Sequence, residues 1–216
     1  MDAAARLFVD RGFTATSTRS IADEVGIRQS SLYYHFPNKE SILEALLLRT
    51  VEYSTKAMRL LEKSSAPAPV RLWCLIAFDV NQLVTAPHNV GTLYLLPETR
   101  QHGFSSFRDE REVLRNFYAS LITQCLQQES SRASAMQPRV TGSSLEALID
   151  IVFGMVESVI AIRADRPREQ PDELVLAIAG GCMRVLGFDD APISSFQEEG
   201  QAILGDMAKV WDNQEG

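Results

Sequence analysis

Apolar residues recur at three- and four-residue intervals along almost the whole chain. Nowhere do they alternate with polar ones in the sustained period of two that marks a half-buried strand. The pattern predicts an all-α fold, with helices over 2–11, 18–25, 29–35, 39–64, 69–86, 89–96, 105–128, 142–164, 171–187 and 192–212. Nine prolines mostly fall between these segments. In the helix over 105–128, Phe107, Leu114, Phe117, Leu121 and Leu126 form a ridge among charged residues, so that helix should be amphipathic. The helix over 142–164 is apolar nearly all round and is expected to be buried on most sides. No linker lies between Pro37 and Ser64. A division into an N-terminal unit, 1–45, and a larger remainder, 46–216, therefore falls inside one long helix.

Residues 18–36, TRSIADEVGIRQSSLYYHF, carry a more specific pattern. Thr16 or Ser17 can cap a helix through its hydroxyl. Ile21 and Val25 give that helix an apolar face, and Gly26 suits a left-handed turn after it. Leu32 and Phe36 share a face of the next helix, and Ala22 is small where a helix would cross. This is helix-turn-helix spacing. The second helix turns Arg28, Gln29, Ser30, Ser31, Tyr33, Tyr34 and His35 outward. Gln can pair with adenine and Arg with guanine, while Tyr and Ser suit phosphate or thymine methyl groups.

Over residues 3–48 the chain resembles the DNA-binding domain of the tetracycline-repressor (TetR) family. The matching elements are Ala4-Ala5, Leu7-Phe8, Gly12-Phe13, Thr16 to Thr18, Ile21-Ala22, Val25-Gly26-Ile27, Leu32 to Phe36, Asn38-Lys39-Glu40 and Leu43. The resemblance implies a recognition helix over 28–35. It implies phosphate or base contacts at Thr18 and Arg19, and base-facing positions at Gln29, Ser30 and Ser31. Tyr33, Tyr34 and His35 match positions that touch backbone or thymine methyls, and Lys39 a phosphate-binding position. With Asn38 as cap, the helix N-terminus there already favours an anion. Arg28 departs from the family, which usually has a small capping residue before Gln29; the cap is weakened and a phosphate or guanine contact is added.

Charge refines this picture. The chain is net −7, yet residues 1–50 carry six basic and six acidic residues, and Asp23 and Glu24 are the only acids between Arg11 and Lys39. That is a modest basic patch compatible with double-stranded DNA. No apolar run approaches the ~18–20 residues of a membrane span, so a soluble, cytoplasmic protein is expected. Cys74, Cys125 and Cys182 lie far apart, without metal-ligand spacing, and read as buried thiols; no cofactor or metal is expected.

An enzyme is the competing class. No GxSxG, P-loop, dinucleotide fingerprint or HExxH is present. His88, His102 and Glu98 sit in irregular stretches and read as solvated loop residues. Arg163, Arg166 and Arg168, with Asp165 and Glu169, read as a solvated helix end. A constitutive DNA binder would not need some 150 further apolar, helical residues. The excess suits dimerisation and sensing of a small, mostly apolar effector. The expected cavity lies between helices 39–64, 69–86, 89–96, 105–128 and 142–164. Trp73, Phe78, Leu96, Phe107, Phe117, Tyr118 and Phe153 are candidate walls, and Glu157 a polar anchor. Helices 142–164 and 171–187 are expected, as the resemblance implies, to form a homodimer seam. Gly154 and Gly180-Gly181, costly within helices, suit close helix approach there.

Overall fold

The computed structural model describes residues 1–100, 102–130, 144–166 and 170–212. The described residues are helical, with no strand among them. The helices are α1 (Asp2–Arg11), α2 (Thr18–Glu24), α3 (Gln29–His35), α4 (Lys39–Lys63), α5 (Ala68–Thr85), α6 (Ser105–Ser130), α7 (Leu145–Asp165), α8 (Pro171–Val185) and α9 (Asp190–Asp212). Between α5 and α6 the chain winds through 3-10 turns at Val90–Leu95, Pro97–Arg100 and His102–Phe104. The α-helix expected over 89–96 is therefore a 3-10 segment. It is framed by Pro87 and Pro97, and at Gly91 it presses so close to α7 that a Cβ would fall 2.5 Å from Ile160 Cδ1. The segment expected to open α7, positions 142–143, lies outside the described residues; α7 begins after Ser144, whose hydroxyl accepts from the Ala147 amide. Helix α9 starts two residues earlier than expected, because Pro192 sits in the first turn, where its missing N–H is not needed.

The central helix is α5, not α7. Every residue from Leu72 to Val80 is buried, and α4, α6, α7, α8 and α9 all pack on it. Within the single chain, the described part of segment 142–164 is buried along one side. Helix α7 buries Leu148, Ile149, Val152, Phe153, Val156 and Val159, but leaves Asp150, Gly154, Ser158 and Ala161 exposed and Ile151, Met155 and Ile162 half-buried. Arg163 is likewise not a solvated end: its guanidinium donates to the Leu83 and Ala86 carbonyls, closing the C-terminus of α5. Arg168, Glu169 and the His102 side chain lie outside the described residues.

Two apolar cores result. The larger is built around α5. The smaller joins Leu7, Phe8, Phe13, Ile21, Ala22, Leu32, Ile42 and Leu43 to Leu46, Leu47, Val51, Leu93, Phe104 and Phe107. The N-terminal unit thus completes its core with residues beyond position 45. The three cysteines are buried, and burial pushes the Cys74 and Cys182 thiols up to about 12, which makes them poor nucleophiles at neutral pH.

Candidate nucleic-acid interface and inner cavity

Local hydrogen bonding fixes the N-terminal helices. Thr16 is buried and its hydroxyl bonds the Leu7 and Gly12 carbonyls. Ser17 and Ser20 form a reciprocal capping box at the start of α2. Gly26 takes φ 68° between α2 and α3, a conformation that disfavours any residue with a Cβ. Val25 does not share the buried face of Ile21 as expected. Helix α2 ends at Glu24, and at the cap Val25 turns outward, 47% exposed.

Helix α3 is held by Leu32, which is buried, and by Phe36, which packs against the small core. Arg28 occupies its N-cap without a side-chain capping bond, as the departure from the family pattern implies. The opposite face carries Arg28, Ser30, Ser31, Tyr33, Tyr34 and His35 into solvent. Tyr34 is 86% exposed and meets His35 edge-to-face at 5.2 Å. Gln29 is half-buried. Its amide Nε2 donates to Thr18 Oγ1 at 3.0 Å and lies 3.3 Å from Tyr33 Oη, while Thr18 Oγ1 and Tyr33 Oη are 3.0 Å apart. Thr18 itself is buried, so its hydroxyl orients Gln29 and Tyr33 and does not face outward. Arg19 projects freely, 3.9 Å from Asp23 with both side chains exposed, a weak pair.

Lys39 sits in the first turn of α4, after an Asn38–Ser41 capping box. Its ammonium donates to the carbonyls of Phe13 at 2.7 Å and Thr16 at 2.9 Å, with Thr14 O at 3.5 Å, and lies 4.2 Å from the Phe13 ring centroid. All three N–H groups thus have acceptors within the α1–α2 loop. The structure uses this lysine to hold that loop.

Behind the N-terminal helices lies a cavity in two chambers. The inner one, about 30 Å³, is lined by Thr50, Val51 and Ser54 of α4, Asp79, Gln82 and Leu83 of α5, Tyr94 of the 3-10 segment Val90–Leu95, Arg111 and Leu114 of α6, and Phe153, Val156 and Glu157 of α7. These are the five segments between which a cavity is expected from sequence. The outer chamber, about 280 Å³, shares Thr50, Gln82 and Leu83 with it and extends past Leu46 and Val90 to His88. His88 pairs there with Asp2 at 3.0 Å.

Of the expected lining residues, Phe153 and Glu157 face the inner chamber, and Tyr118 stands behind Asp79, to whose Oδ2 it donates at 2.6 Å. The structure places the others elsewhere. Trp73 packs against Gly200 of α9, because α5 is covered on all sides. Phe78 faces a separate cleft between α5, α8 and α9. Phe117 packs on the large core. Phe107 belongs to the small core, and Leu96 packs against it. Glu157 is engaged by Arg111 through three contacts of 2.7–3.1 Å, and the Arg111 guanidinium lies 4.9 Å from the Phe153 centroid. Asp79 and Gln82 are the polar groups that sequence reasoning missed. The available signal was Asp79 as the sole acid of an otherwise apolar helix, with Gln82 three residues later on the same face. Burial pushes the Asp79 carboxyl up to about 6, against the opposing effect of hydrogen bonds from Ser54 and Tyr118.

The profile of bacterial regulatory proteins of the tetR family matches residues 1–46. The crystal structure of Mycobacterium smegmatis AmtR superposes with a TM-score of 0.81 at 41% identity, over 94% of this chain and 91% of that one. The transcriptional repressor KstR2 of Rhodococcus jostii is 51% identical over 47 residues, 22% of this chain and 23% of the repressor. KstR2 of Mycobacterium tuberculosis is 28% identical over 131 residues, 59% of this chain and 65% of the repressor. The match thus covers less than two thirds of either repressor.

Proposed function

This chain belongs to the TetR family of bacterial regulatory proteins, and from that premise we propose that it is a DNA-binding transcriptional regulator, a homodimeric repressor released from its operator by a small molecule. The carrying observation is the outward face of α3. Seven of the eight residues from Arg28 to His35 offer hydrogen-bonding or aromatic side chains, Tyr34 stands almost wholly in solvent, and Gln29 is held in place by Thr18 and Tyr33. A helix so equipped suits the major groove. Arg19, Arg28, Gln29, Ser30, Ser31, Tyr33, Tyr34 and His35 form the reading surface, with Thr18 and Lys39 supporting it from behind. Such a regulator acts on the bacterial chromosome, in the cytoplasm. No helix among the described residues is long and apolar enough to cross a membrane.

Residues 1–45 read DNA and 46–216 sense and dimerise. Coupling runs through parts common to both. The first turn of α4 carries Lys39 under the α1–α2 loop, and its middle walls the cavity with Thr50, Val51 and Ser54. Tyr94 lines the inner chamber, bonds Thr50 and meets the Phe107 ring of the small core in a tilted contact at 5.3 Å. A molecule in the cavity that tilts α4 changes the distance between the two reading helices of a dimer, which must match successive major grooves about 34–36 Å apart. A 100-fold loss of operator affinity requires the effector to prefer the released state by about 2.7 kcal/mol.

Fluorescence anisotropy on a labelled duplex from upstream of the protein's own gene tests this reading. The protein should prefer that duplex to random sequence by well over about tenfold, and Gln29→Ala and Tyr34→Ala should erode the preference. Equal affinity for both duplexes would refute it.

A further inference from the structure

The inner chamber holds two buried side-chain oxygens left without a close hydrogen-bond donor among the described residues. Asp79 is 4% and Gln82 8% exposed, yet Asp79 Oδ1 and Gln82 Oε1 have no hydrogen-bond partner among the described residues. They stand one turn apart on one face of α5 and both line the chamber. An acceptor buried without a donor is costly, and a carboxylate oxygen more so than an amide one. The charged residues of the lining are two carboxylates, Asp79 and Glu157, against one guanidinium, Arg111. That guanidinium is committed to Glu157, and its face to the Phe153 ring. Asp79 therefore has the Tyr118 hydroxyl on Oδ2 and the Ser54 hydroxyl beside it, but no counter-charge in the chamber.

We propose that the inner chamber is a receptor for the protonated nitrogen of a small molecule, an alkylamine-type head held between Asp79 Oδ1 and Gln82 Oε1, with an apolar tail in the outer chamber. The proposal rests on the reading of this cavity as the effector site and names the chemistry that site selects. The inner chamber is much the smaller of the two, which suits a compact head. The outer chamber adjoins it through Thr50, Gln82 and Leu83 and has room for a short chain along Leu46, Leu83 and Val90. An anion would meet two carboxylates. A neutral hydroxyl would satisfy the acceptors but leave the Asp79 charge unmatched, so charge selects the ammonium over the alcohol.

Isothermal titration calorimetry of the full chain at about pH 7.5 tests this with n-alkylamines from butyl to hexyl, the matching alcohols and the matching carboxylates. Amines should bind at least about tenfold tighter than alcohols of equal length, carboxylates should not bind, and Asp79→Asn should abolish the preference for amines. Gln82→Leu should weaken amine binding while leaving the preference in place. Melting curves establish that both variants fold. The proposal is overturned if no amine binds, if alcohols or carboxylates match the amines, or if Asp79→Asn keeps the preference. Operator binding in the same preparation separates the two readings. Asp79-dependent amine binding by a protein that ignores DNA supports the receptor and refutes the regulator.

Discussion

Tyr118 donates its hydroxyl to Asp79 Oδ2 at 2.6 Å, a bond closed from solvent between α6 and α5. The other groups around this carboxyl are Ser54 of α4, Tyr94, Arg111 of α6 and Glu157 of α7. Burial pushes the carboxyl up to about 6 from an ordinary 3.8. Ionisation therefore costs the folded state more than the unfolded chain. This group's contribution to stability is greatest below about pH 4, declines as pH rises towards about 6, and is flat above that. Asp79→Asn keeps an acceptor for Tyr118 and carries no charge. It should be more stable than wild type at about pH 8, by of order 2–3 kcal/mol, and so melt higher there, with the margin gone near pH 4. Circular-dichroism melts across that range check this; a variant less stable at pH 8 would contradict it.

The trio of Thr18, Gln29 and Tyr33 separates holding from reading. Gln29→Ala removes the side chain offered to a base and should cost about 1–3 kcal/mol on the preferred duplex, relaxing preference at one or two base pairs. Thr18→Val keeps the shape but removes the hydroxyl that fixes the Gln29 amide. Its cost should be smaller, with the same base pairs affected. A competition assay on singly substituted duplexes distinguishes the two, and an effect of Thr18→Val at unrelated positions would break the link.

Lys39 supplies a prediction opposite to the family expectation. Its ammonium is occupied by loop carbonyls. Lys39→Met should destabilise the fold by of order 1–3 kcal/mol for the lost charge-assisted bonds, read as a lower melting temperature, and weaken DNA binding through the loosened loop. The slope of log affinity against log salt should stay unchanged. A slope smaller by about one unit would instead assign Lys39 to a phosphate.

The reading head was legible because its signals are local. Ala22, Gly26 and Leu32 act within a dozen residues, and each has one geometric meaning: close crossing, left-handed turn, buried anchor. The cavity's position was also legible, since five amphipathic segments must enclose something. Its lining was not. Whether Trp73 or Phe78 faces a cavity depends on which helix becomes central, and that is decided by long-range packing of α8 and α9 on α5. Phe107 carries the same helical signal as Phe117, but its contact with Tyr94 puts it in the small core. The acid that matters, Asp79, was hidden by its apolar neighbours. Its significance comes from what α6 and α7 bring opposite it.

Gly154 gives the sharpest test of dimerisation. It lies on the exposed side of α7, and a Cβ built there meets nothing within 4 Å. A glycine in a helix interior costs about 1 kcal/mol relative to alanine, and no packing among the described residues offsets that cost. Its counterparts on α8 are little more constrained: a Cβ at Gly180 meets the flexible end of Arg184, and one at Gly181 only Met155 Cε at 3.0 Å. The half-buried apolar residues Ile151, Met155 and Ile162 flank this bare strip. A second copy laying its own helices here would bring backbones close at the glycine and cover those side chains. Gly154→Leu should therefore leave the single chain folded and at least as helical, while forcing the two copies apart. Gly154→Ala adds only a methyl group and should keep the dimer. Sedimentation velocity at micromolar concentration, with far-ultraviolet circular dichroism as the folding control, reads both. Monomers for Gly154→Leu place the seam on α7; if that variant sediments with wild type as a dimer, the copies meet on another face.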